Sequence, residues 1–265
     1  MSVIIAEAEE NQMKVVFLHI PKTAGQSIHA ALEESFGKDR VCPARVNDSL
    51  RKMSIAELNS YSVFSGHLDW AFLDCIKGPK YIFTILREPR DRILSFYFYM
   101  RKEAAKLPPE VLGLPQNAGK KAAIEGGPDH YFCGGPAHVR SFLDAHYDNF
   151  YTYFFAGRHY LARNQLWPLL SRGEMAPEEL VDLAKANMKE LDGVFSFSRM
   201  DEVFKAIRDL SGVEIAADSY RVNANAEVEA GDRLSQLLKL GAAEKTLEKL
   251  EQYCLFDNQI WSARQ

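Results

Sequence analysis

The chain has 265 residues, of which 47% are hydrophobic and 26% charged, a composition that suits one globular domain with a full apolar core. Its formal net charge is −4, so it lacks the basic balance of nucleic-acid-binding proteins, and we expect no nucleic-acid partner. No apolar stretch approaches the roughly 20 residues of a membrane helix, which predicts that the chain has no membrane span.

The N-terminal residues hold only a short apolar run followed at once by acidic residues, which does not match a secretory signal. The cysteines are scattered and form no CxxC pair, a pattern typical of free thiols in a reducing compartment. These features predict a cytoplasmic protein, and we expect no metal site.

The first strong pattern is a strand, a tight loop and a helix in succession. Residues 15–20 form an apolar run rich in β-forming residues, which predicts a buried parallel strand. Residues 21–26 interrupt the run, and apolar residues then recur at helical spacing from Ile28 to Phe36.

A second unit of the same kind follows. Residues 81–86 predict another buried strand and residues 91–102 a helix, with Pro89 suited to its first turn. Between the two units, residues 54–60 predict a helix and residues 62–65 a short strand.

The second half of the chain differs in pattern. Its proline and glycine pairs predict a long loop over about residues 106–137, a candidate lid over a substrate. Residues 193–198 predict one more strand. The remaining patterns predict helices at 138–148, 158–171, 177–191, 200–210 and 232–253.

Strands that alternate with helices predict an α/β fold with helices on both faces of a central parallel sheet. We expect a single domain over residues 1–265, with a helix-rich C-terminal half. A dense aromatic cluster in that half, residues 147–155, is typical of core packing, and the alternative is an aromatic wall for a substrate.

The loop after the first strand has the chemistry of an anion site. The first amides of a helix have no partner within it and sit at the positive end of its dipole. Gly25 permits a close backbone approach, Thr23 and Ser27 add hydroxyls, and Lys22 adds a positive charge. The order of lysine and glycine excludes a Walker A loop, and the alternative is a plain strand-to-helix turn with a serine cap.

The second unit carries an arginine at the end of its strand, where ligands of open α/β sheets bind. Arg87 can make a forked contact with a phosphate, and Ser95 on the following helix can reach the same group. The alternative for these arginines is a set of surface salt bridges with Glu88 and Asp91, which the pattern favours for Arg90 and Arg92 but not for Arg87.

These two segments carry a family resemblance. FLHIPKTAGQS at 17–27 resembles the 5′-phosphosulfate loop of sulfotransferases that use PAPS (3′-phosphoadenosine 5′-phosphosulfate), commonly FxHIPKTGGTS. ILREPRDRILSFYFY at 85–99 is similar to that superfamily's 3′-phosphate motif, xxRDPxxRxxSxYxY. The relatives are the Golgi-type carbohydrate sulfotransferases, including the heparan sulfate 2-O-sulfotransferase type, and bacterial proteins. Weaker similarities lie at residues 65–67, 149–152 and 256–257.

The resemblance implies a P-loop-like three-layer sandwich that binds PAPS without a metal. Lys22 would stabilise the leaving phosphate, and Arg87 with Ser95 would hold the 3′-phosphate. The donor's 5′-phosphate would lie on the loop formed by Lys22, Thr23, Ala24, Gly25, Gln26 and Ser27. Three positions depart from the pattern, because Ala24 and Gln26 replace the usual glycine and threonine and Glu88 replaces an aspartate.

The acceptor hydroxyl must lose a proton, and a histidine with a pKa near neutrality suits that step. His67 is the first candidate, because it follows a short strand and a flexible glycine and matches the family's SGH histidine. His19, on a strand, is better explained as a packed, hydrogen-bonded residue. His130 and Asp69 are the alternatives for the base.

The sequence thus predicts a sulfotransferase that transfers a sulfuryl group from PAPS to a hydroxyl and leaves 3′,5′-adenosine bisphosphate. The acceptor, a glycan, a lipid or a small metabolite, and the oligomeric state are not identified by the sequence. Two rival functions are a Mg²⁺-dependent small-molecule kinase and a nucleotide-binding module without catalysis.

Overall fold

A parallel sheet forms the centre of the computed structural model, which describes residues 13–214 and 230–264. Its four strands lie in the order β2-β1-β3-β4, and all neighbours are parallel. The strands are β1 (Lys14–Leu18), β2 (Val63–Gly66), β3 (Lys80–Leu86) and β4 (Gly193–Ser196). Since β1 has β2 on one side and β3 on the other, the chain reverses its direction of winding at β1, where ligands of such sheets bind.

Helices surround this sheet. In chain order they are α1 (Gly25–Phe36), α2 (Asn47–Leu50), α3 (Ile55–Ser60), α4 (Pro89–Ala104), α5 (Pro109–Leu112), α6 (Ala118–Glu125), α7 (Gly127–Cys133), α8 (Ala137–Tyr147), α9 (Phe150–Gly157), α10 (Arg163–Ser171), α11 (Pro177–Met188), α12 (Met200–Ser211), α13 (Ala230–Lys239), α14 (Glu244–Cys254) and α15 (Asp257–Ala263). Short 3₁₀ turns lie at Lys38–Arg40, Trp70–Cys75 and Pro115–Asn117.

Alternate residues of β1 point into two separate apolar layers. Val15 and Phe17 pack with α1 and α12 on one face of the sheet. Val16 and Leu18 pack with α9 and α11 on the other face. The fold is therefore a three-layer α/β sandwich with a central parallel sheet and a helix-rich majority, as the sequence predicts. A third apolar cluster joins α4 to α6, α7, α8, α13 and α14 beside the sandwich.

All four predicted strands are present within a few residues of their expected bounds. The single helix predicted over 232–253 is wrong, because the chain turns between α13 and α14 at Gly241, whose φ is 85°. The aromatic cluster forms the helix α9, and its side chains are buried, which favours core packing over an exposed substrate wall.

The long loop predicted at 106–137 is also wrong, since this segment folds into α5, α6 and α7. Its prolines occupy the first turns of helical segments, where a missing N–H costs nothing. Apolar side chains then anchor the segment, because Ala123, Tyr131 and Phe132 are fully buried against α4. A lid over the acceptor stays a prediction.

Two helices cap each other across the C-terminal half. The backbone N–H groups of Tyr151 and Thr152, in the first turn of α9, donate to the carboxylate of Asp257 at 3.1 and 2.9 Å, and the Thr152 hydroxyl donates at 2.9 Å. In return, the side-chain oxygen of Asn149 accepts from the backbone N–H groups of Phe256 and Asp257 at 2.6 and 3.3 Å. The weak sequence similarities at 149–152 and 256–257 are therefore two halves of one structural contact.

Replacing Asp257 should destabilise the fold. Asp257→Ala leaves two buried amides and a hydroxyl without their acceptor, so we expect a loss of about 2–4 kcal/mol in the free energy of unfolding. The exposed pair between Arg90 and Glu251 supplies the control, since Glu251→Ala should cost about 0.5 kcal/mol or less. Urea denaturation measures both variants, and equal losses would contradict the reciprocal cap.

Candidate functional site

The loop between β1 and α1 has an unusual backbone. Lys22 and Ala24 both adopt left-handed conformations, with φ of 71° and 64°. The first helical hydrogen bond runs from the Ile28 amide to the Ala24 carbonyl at 3.1 Å, so the amides of residues 25–27 precede the helix's own ladder. Ala24, not Ser27, is therefore the N-terminal cap residue. An anion site at these amides, as the sequence suggests, stays a prediction.

The side chains of this loop divide into two groups. Thr23 is fully buried, and its hydroxyl donates to the Ile20 carbonyl at 2.8 Å, so this hydroxyl shapes the loop. Gln26 is exposed, whereas Ser27 and Lys22 are half-buried. The ammonium of Lys22 lies 4.3 Å from the centre of the Tyr99 ring on α4. This contact links the loop to the helix that carries the second predicted motif.

Gly25 is required by a neighbour from β1. A Cβ atom at position 25 would lie 1.9 Å from the His19 ring, so only glycine fits there. The same ring stacks on His67, with 4.4 Å between centroids and 22° between planes. His19 is thus packed, but no described residue hydrogen-bonds its buried Nε2, and the expected hydrogen bond is missing.

His67 lies directly after β2, at the same edge of the sheet. Its Nδ1 is 2.8 Å from the His19 carbonyl oxygen. Because a carbonyl can only accept, Nδ1 carries the hydrogen, and the neutral ring keeps a lone pair on Nε2. Burial lowers the pKa of His67, the hydrogen bond to His19 opposes this shift, and the Arg45 charge lowers the pKa further. A neutral ring whose Nε2 carries no hydrogen is the form that accepts a proton.

Arg87 joins the two predicted phosphate segments. Its guanidinium Nη1 donates to the Ser95 hydroxyl at 3.2 Å and to the Lys22 carbonyl at 3.3 Å. Its Nε donates to Asp91, and its face stacks on the Phe197 ring at 4.3 Å. The structure therefore brings Lys22, Arg87 and Ser95 together at the sheet edge.

Residues that the sequence reasoning missed hold Arg87 in place. The Tyr151 hydroxyl donates to the Arg87 carbonyl at 2.8 Å and accepts from its amide at 3.1 Å. Asp91 also accepts from Arg233 of α13 at 2.9 Å. The pair of Arg87 with Asp91 itself is the salt bridge that the sequence offers as an alternative, but it is buried and not on the surface. Tyr151 and Arg233 left no local signal.

The other two arginines of this segment, Arg90 and Arg92, differ in their exposure to solvent. Arg90 pairs with Glu251 on the surface, as predicted. The surface salt bridge predicted for Arg92 is wrong, because this side chain is fully buried between Phe150 and Tyr151 and donates to the His146 carbonyl at 3.0 Å. The rings of Phe150 and Tyr151 on α9 thus cover a side chain that the local pattern assigns to solvent.

Neither alternative base lies free at the sheet edge. The carboxylate of Asp69 accepts from the Tyr160 amide at 2.8 Å and pairs with Arg51 and His159. His130 is an exposed residue of α7 whose ring packs on Gly126. His67 is better placed than both.

Comparison with known protein families matches residues 8–260 to the sulfotransferase family. The chain belongs to the sulfotransferase family. Membership supports sulfuryl transfer in general and makes the protein a transferase, while the 2-O-sulfotransferase type stays a prediction. No curated protein matches the chain.

Two further features of this sulfotransferase concern the described residues alone. Within 13–214 and 230–264, no helix is both long and apolar enough to cross a membrane. The same residues contain no group of three or more histidine, cysteine, aspartate or glutamate side chains placed to hold a metal ion.

The left-handed conformation of Ala24 can be tested by two glycine substitutions in one helix region. A left-handed alanine is strained by about 1–2 kcal/mol, which Ala24→Gly relieves, although the glycine makes the unfolded chain freer by about 0.4–1 kcal/mol. We expect Ala24→Gly to leave stability unchanged or to raise it by up to about 1 kcal/mol. Ala30→Gly, at an exposed position of α1, should lower it by about 1 kcal/mol. Thermal unfolding of both variants decides, and equal destabilisation would refute the strained loop.

Proposed function

We propose that this sulfotransferase moves a sulfuryl group from PAPS to a hydroxyl of its acceptor, with His67 as the general base. The observation that carries the proposal is the position of Arg87, which bridges the Lys22 carbonyl and the Ser95 hydroxyl next to the start of α1. A donor with phosphates at both its 5′ and 3′ positions suits two such neighbouring anion sites.

The 5′ end of the donor would lie on the amides at the start of α1. These amides and the left-handed loop present N–H groups to a phosphate without any movement at the moment of reaction. Lys22, anchored over Tyr99, lies on the same loop and supplies a positive charge for the phosphate that leaves.

The 3′-phosphate would lie beside Arg87 and Ser95. Arg87 is only 3% exposed, so its charge acts in a medium of low dielectric constant, where it is worth more than at the surface. Tyr151 and Asp91 hold the backbone and the guanidinium of Arg87, which fixes the direction of its donors. This second anion site separates PAPS from nucleotides such as AMP that lack a 3′-phosphate.

The proposed transfer needs only the donor, the acceptor and a base from the chain. The acceptor oxygen attacks sulfur as the bond between sulfur and the bridging phosphate oxygen breaks, and the acceptor proton passes to Nε2 of His67. The products are the sulfated acceptor, 3′,5′-adenosine bisphosphate and a protonated His67 that returns its proton to water. The acceptor is a hydroxyl compound, and its class is open among glycans, lipids and small metabolites.

The two anion sites predict a preference for the doubly phosphorylated product. We expect 3′,5′-adenosine bisphosphate to bind roughly 100-fold more tightly than AMP, because two charge-assisted hydrogen bonds to the 3′-phosphate contribute about 1.5–3 kcal/mol each before losses. Ser95→Ala should reduce this preference, whereas Arg90→Ala, a change of a surface arginine on the same helix, should not. Calorimetry with both nucleotides measures it, and equal affinities in the unmodified protein would refute the proposal.

The roles of the residues predict different kinetic defects. His67→Gln should keep donor affinity near that of the unmodified protein and lower kcat by roughly 10²–10⁴-fold, the usual worth of a general base. Lys22→Ala should weaken donor binding modestly and lower kcat severely, because the leaving phosphate loses its counter-charge. Arg87→Ala should mainly weaken donor binding.

Labelled PAPS and fractionated acceptor pools measure these turnovers, with and without EDTA. We expect EDTA to leave transfer intact. Transfer from labelled ATP that EDTA abolishes and Mg²⁺ restores would favour the kinase, and binding of PAPS without transfer to any fraction would favour the non-catalytic module.

A further inference from the structure

His19 is a polar side chain in the middle of the site without a chemical role of its own. Its Nε2 is buried and has no hydrogen-bond partner among the described residues. A buried nitrogen without a partner costs free energy that an apolar side chain of similar shape would avoid. Packing alone therefore does not account for a histidine at this position.

We propose that His19 is a positioning residue that fixes the ring of His67 against the anion loop. The inference rests on the proposed function, in which His67 is the base. His19 would not touch the donor or the acceptor, and it would act through the tautomer, the plane and the surroundings of the His67 ring.

Two contacts from His19 restrain His67 in different directions. The hydrogen bond from Nδ1 of His67 to the His19 carbonyl, 2.8 Å long, fixes the rotation of the ring within its own plane. The stack of the two rings, 4.4 Å apart and 22° from parallel, fixes the plane itself. One residue thus sets both the tautomer and the direction in which Nε2 points.

His19 is itself held by the neighbouring elements. Its ring stacks on Phe17, with 5.5 Å between centroids, and it fills the space where a side chain of residue 25 would otherwise lie. The start of α1, which supplies the anion-binding amides, therefore sets the position of His19 and through it that of His67. A shift of about 1 Å between catalytic groups can cost roughly 100-fold in rate, so this mechanical link matters for transfer.

The charges around the pair determine which ring takes a proton. His67 is faced by His19 and Arg45, by Tyr160 at 5.2 Å between ring centroids, and more distantly by His146 of α8. His19 is faced by His67, Arg45, Lys22 and His29.

Burial holds the pKa of His19 well below its usual range, and its positively charged neighbours act in the same direction. His19 therefore stays neutral. When His67 accepts the proton of the acceptor, its cationic ring lies on the face of a neutral aromatic ring, an arrangement that favours the charge.

The experiment follows the histidine ring signals of the full-length protein by NMR during a pH titration. In the unmodified protein, His67 should carry its hydrogen on Nδ1 and should titrate below the usual value of about 6.5. His19→Asn keeps the carbonyl but removes the ring, so water reaches His67. Its pKa should then rise toward about 6.5, and its ring should become mobile. His138→Gln, which removes an exposed histidine of α8, should change neither property.

A kinetic readout separates positioning from a loss of fold. His19→Asn should bind 3′,5′-adenosine bisphosphate within about threefold of the unmodified protein yet lower kcat by roughly 10–100-fold, with the acid limb of the pH profile moved to higher pH. An unchanged titration of His67 in the folded variant, or an unchanged kcat, would overturn the inference.

A reciprocal variant covers the case in which His19→Asn does not fold. His67→Ala removes the other ring, and the signals of His19 should then shift and its pKa should rise, because water and the loss of a neighbouring positive ring both favour its protonation. Unchanged His19 signals would also overturn the inference. Failure of the proposed function looks different: it appears as undiminished transfer by His67→Gln, or as no binding of 3′,5′-adenosine bisphosphate by the unmodified protein.

Discussion

The close approach of His19 to Gly25 determines the geometry of the site. Because the imidazole occupies the space above residue 25, the loop after β1 can close only with a glycine there, and α1 begins directly against the end of β1. The same ring supports His67 from β2. A single side chain therefore relates the amides of α1 that we propose to bind the donor to the ring that we propose as the base. The left-handed backbone of Lys22 and Ala24 accommodates the tight path of the loop.

The other half of the site depends on a longer chain of contacts. Asp257 satisfies the first amides of α9, α9 carries Tyr151, and the Tyr151 hydroxyl holds the backbone of Arg87. Burial raises the pKa of Asp257 to about 6, although the hydrogen bonds to Thr152 and Tyr151 and the Arg92 charge oppose that shift. The helical C-terminal half thus supports Arg87, and in this way an aromatic helix far along the chain can affect the anion site that we propose at the sheet edge.

The sequence predicts those parts of the molecule that local patterns determine. β1 and β3 are nearly continuous apolar runs of β-forming residues. Lys22, Arg87 and His67 follow the ends of parallel strands that meet at one edge of the sheet, so their neighbourhood could be inferred. The failures come from contacts between distant segments. The helical pattern assigns Arg92 to the surface, but the rings of Phe150 and Tyr151 on α9 cover it. The glycines and prolines of 106–137 mark helix ends as well as loops.

The burial of Arg87 explains why so many residues hydrogen-bond to its guanidinium. A guanidinium that is 3% exposed has lost most of its water, and that loss is tolerable only where acceptors replace the water with good geometry. Asp91, the Ser95 hydroxyl and the Lys22 carbonyl supply them, and Arg233 on the far side of Asp91 binds the same carboxylate. Asp91 pairs with two arginines, so its single negative charge is shared between them. It therefore neutralises the positive charge of Arg87 less than it would in an isolated pair. At the proposed 3′-phosphate site, an anion beside Ser95 would therefore meet a donor whose direction is already fixed and whose positive charge is only partly cancelled. This is the electrostatic requirement of a selective phosphate site.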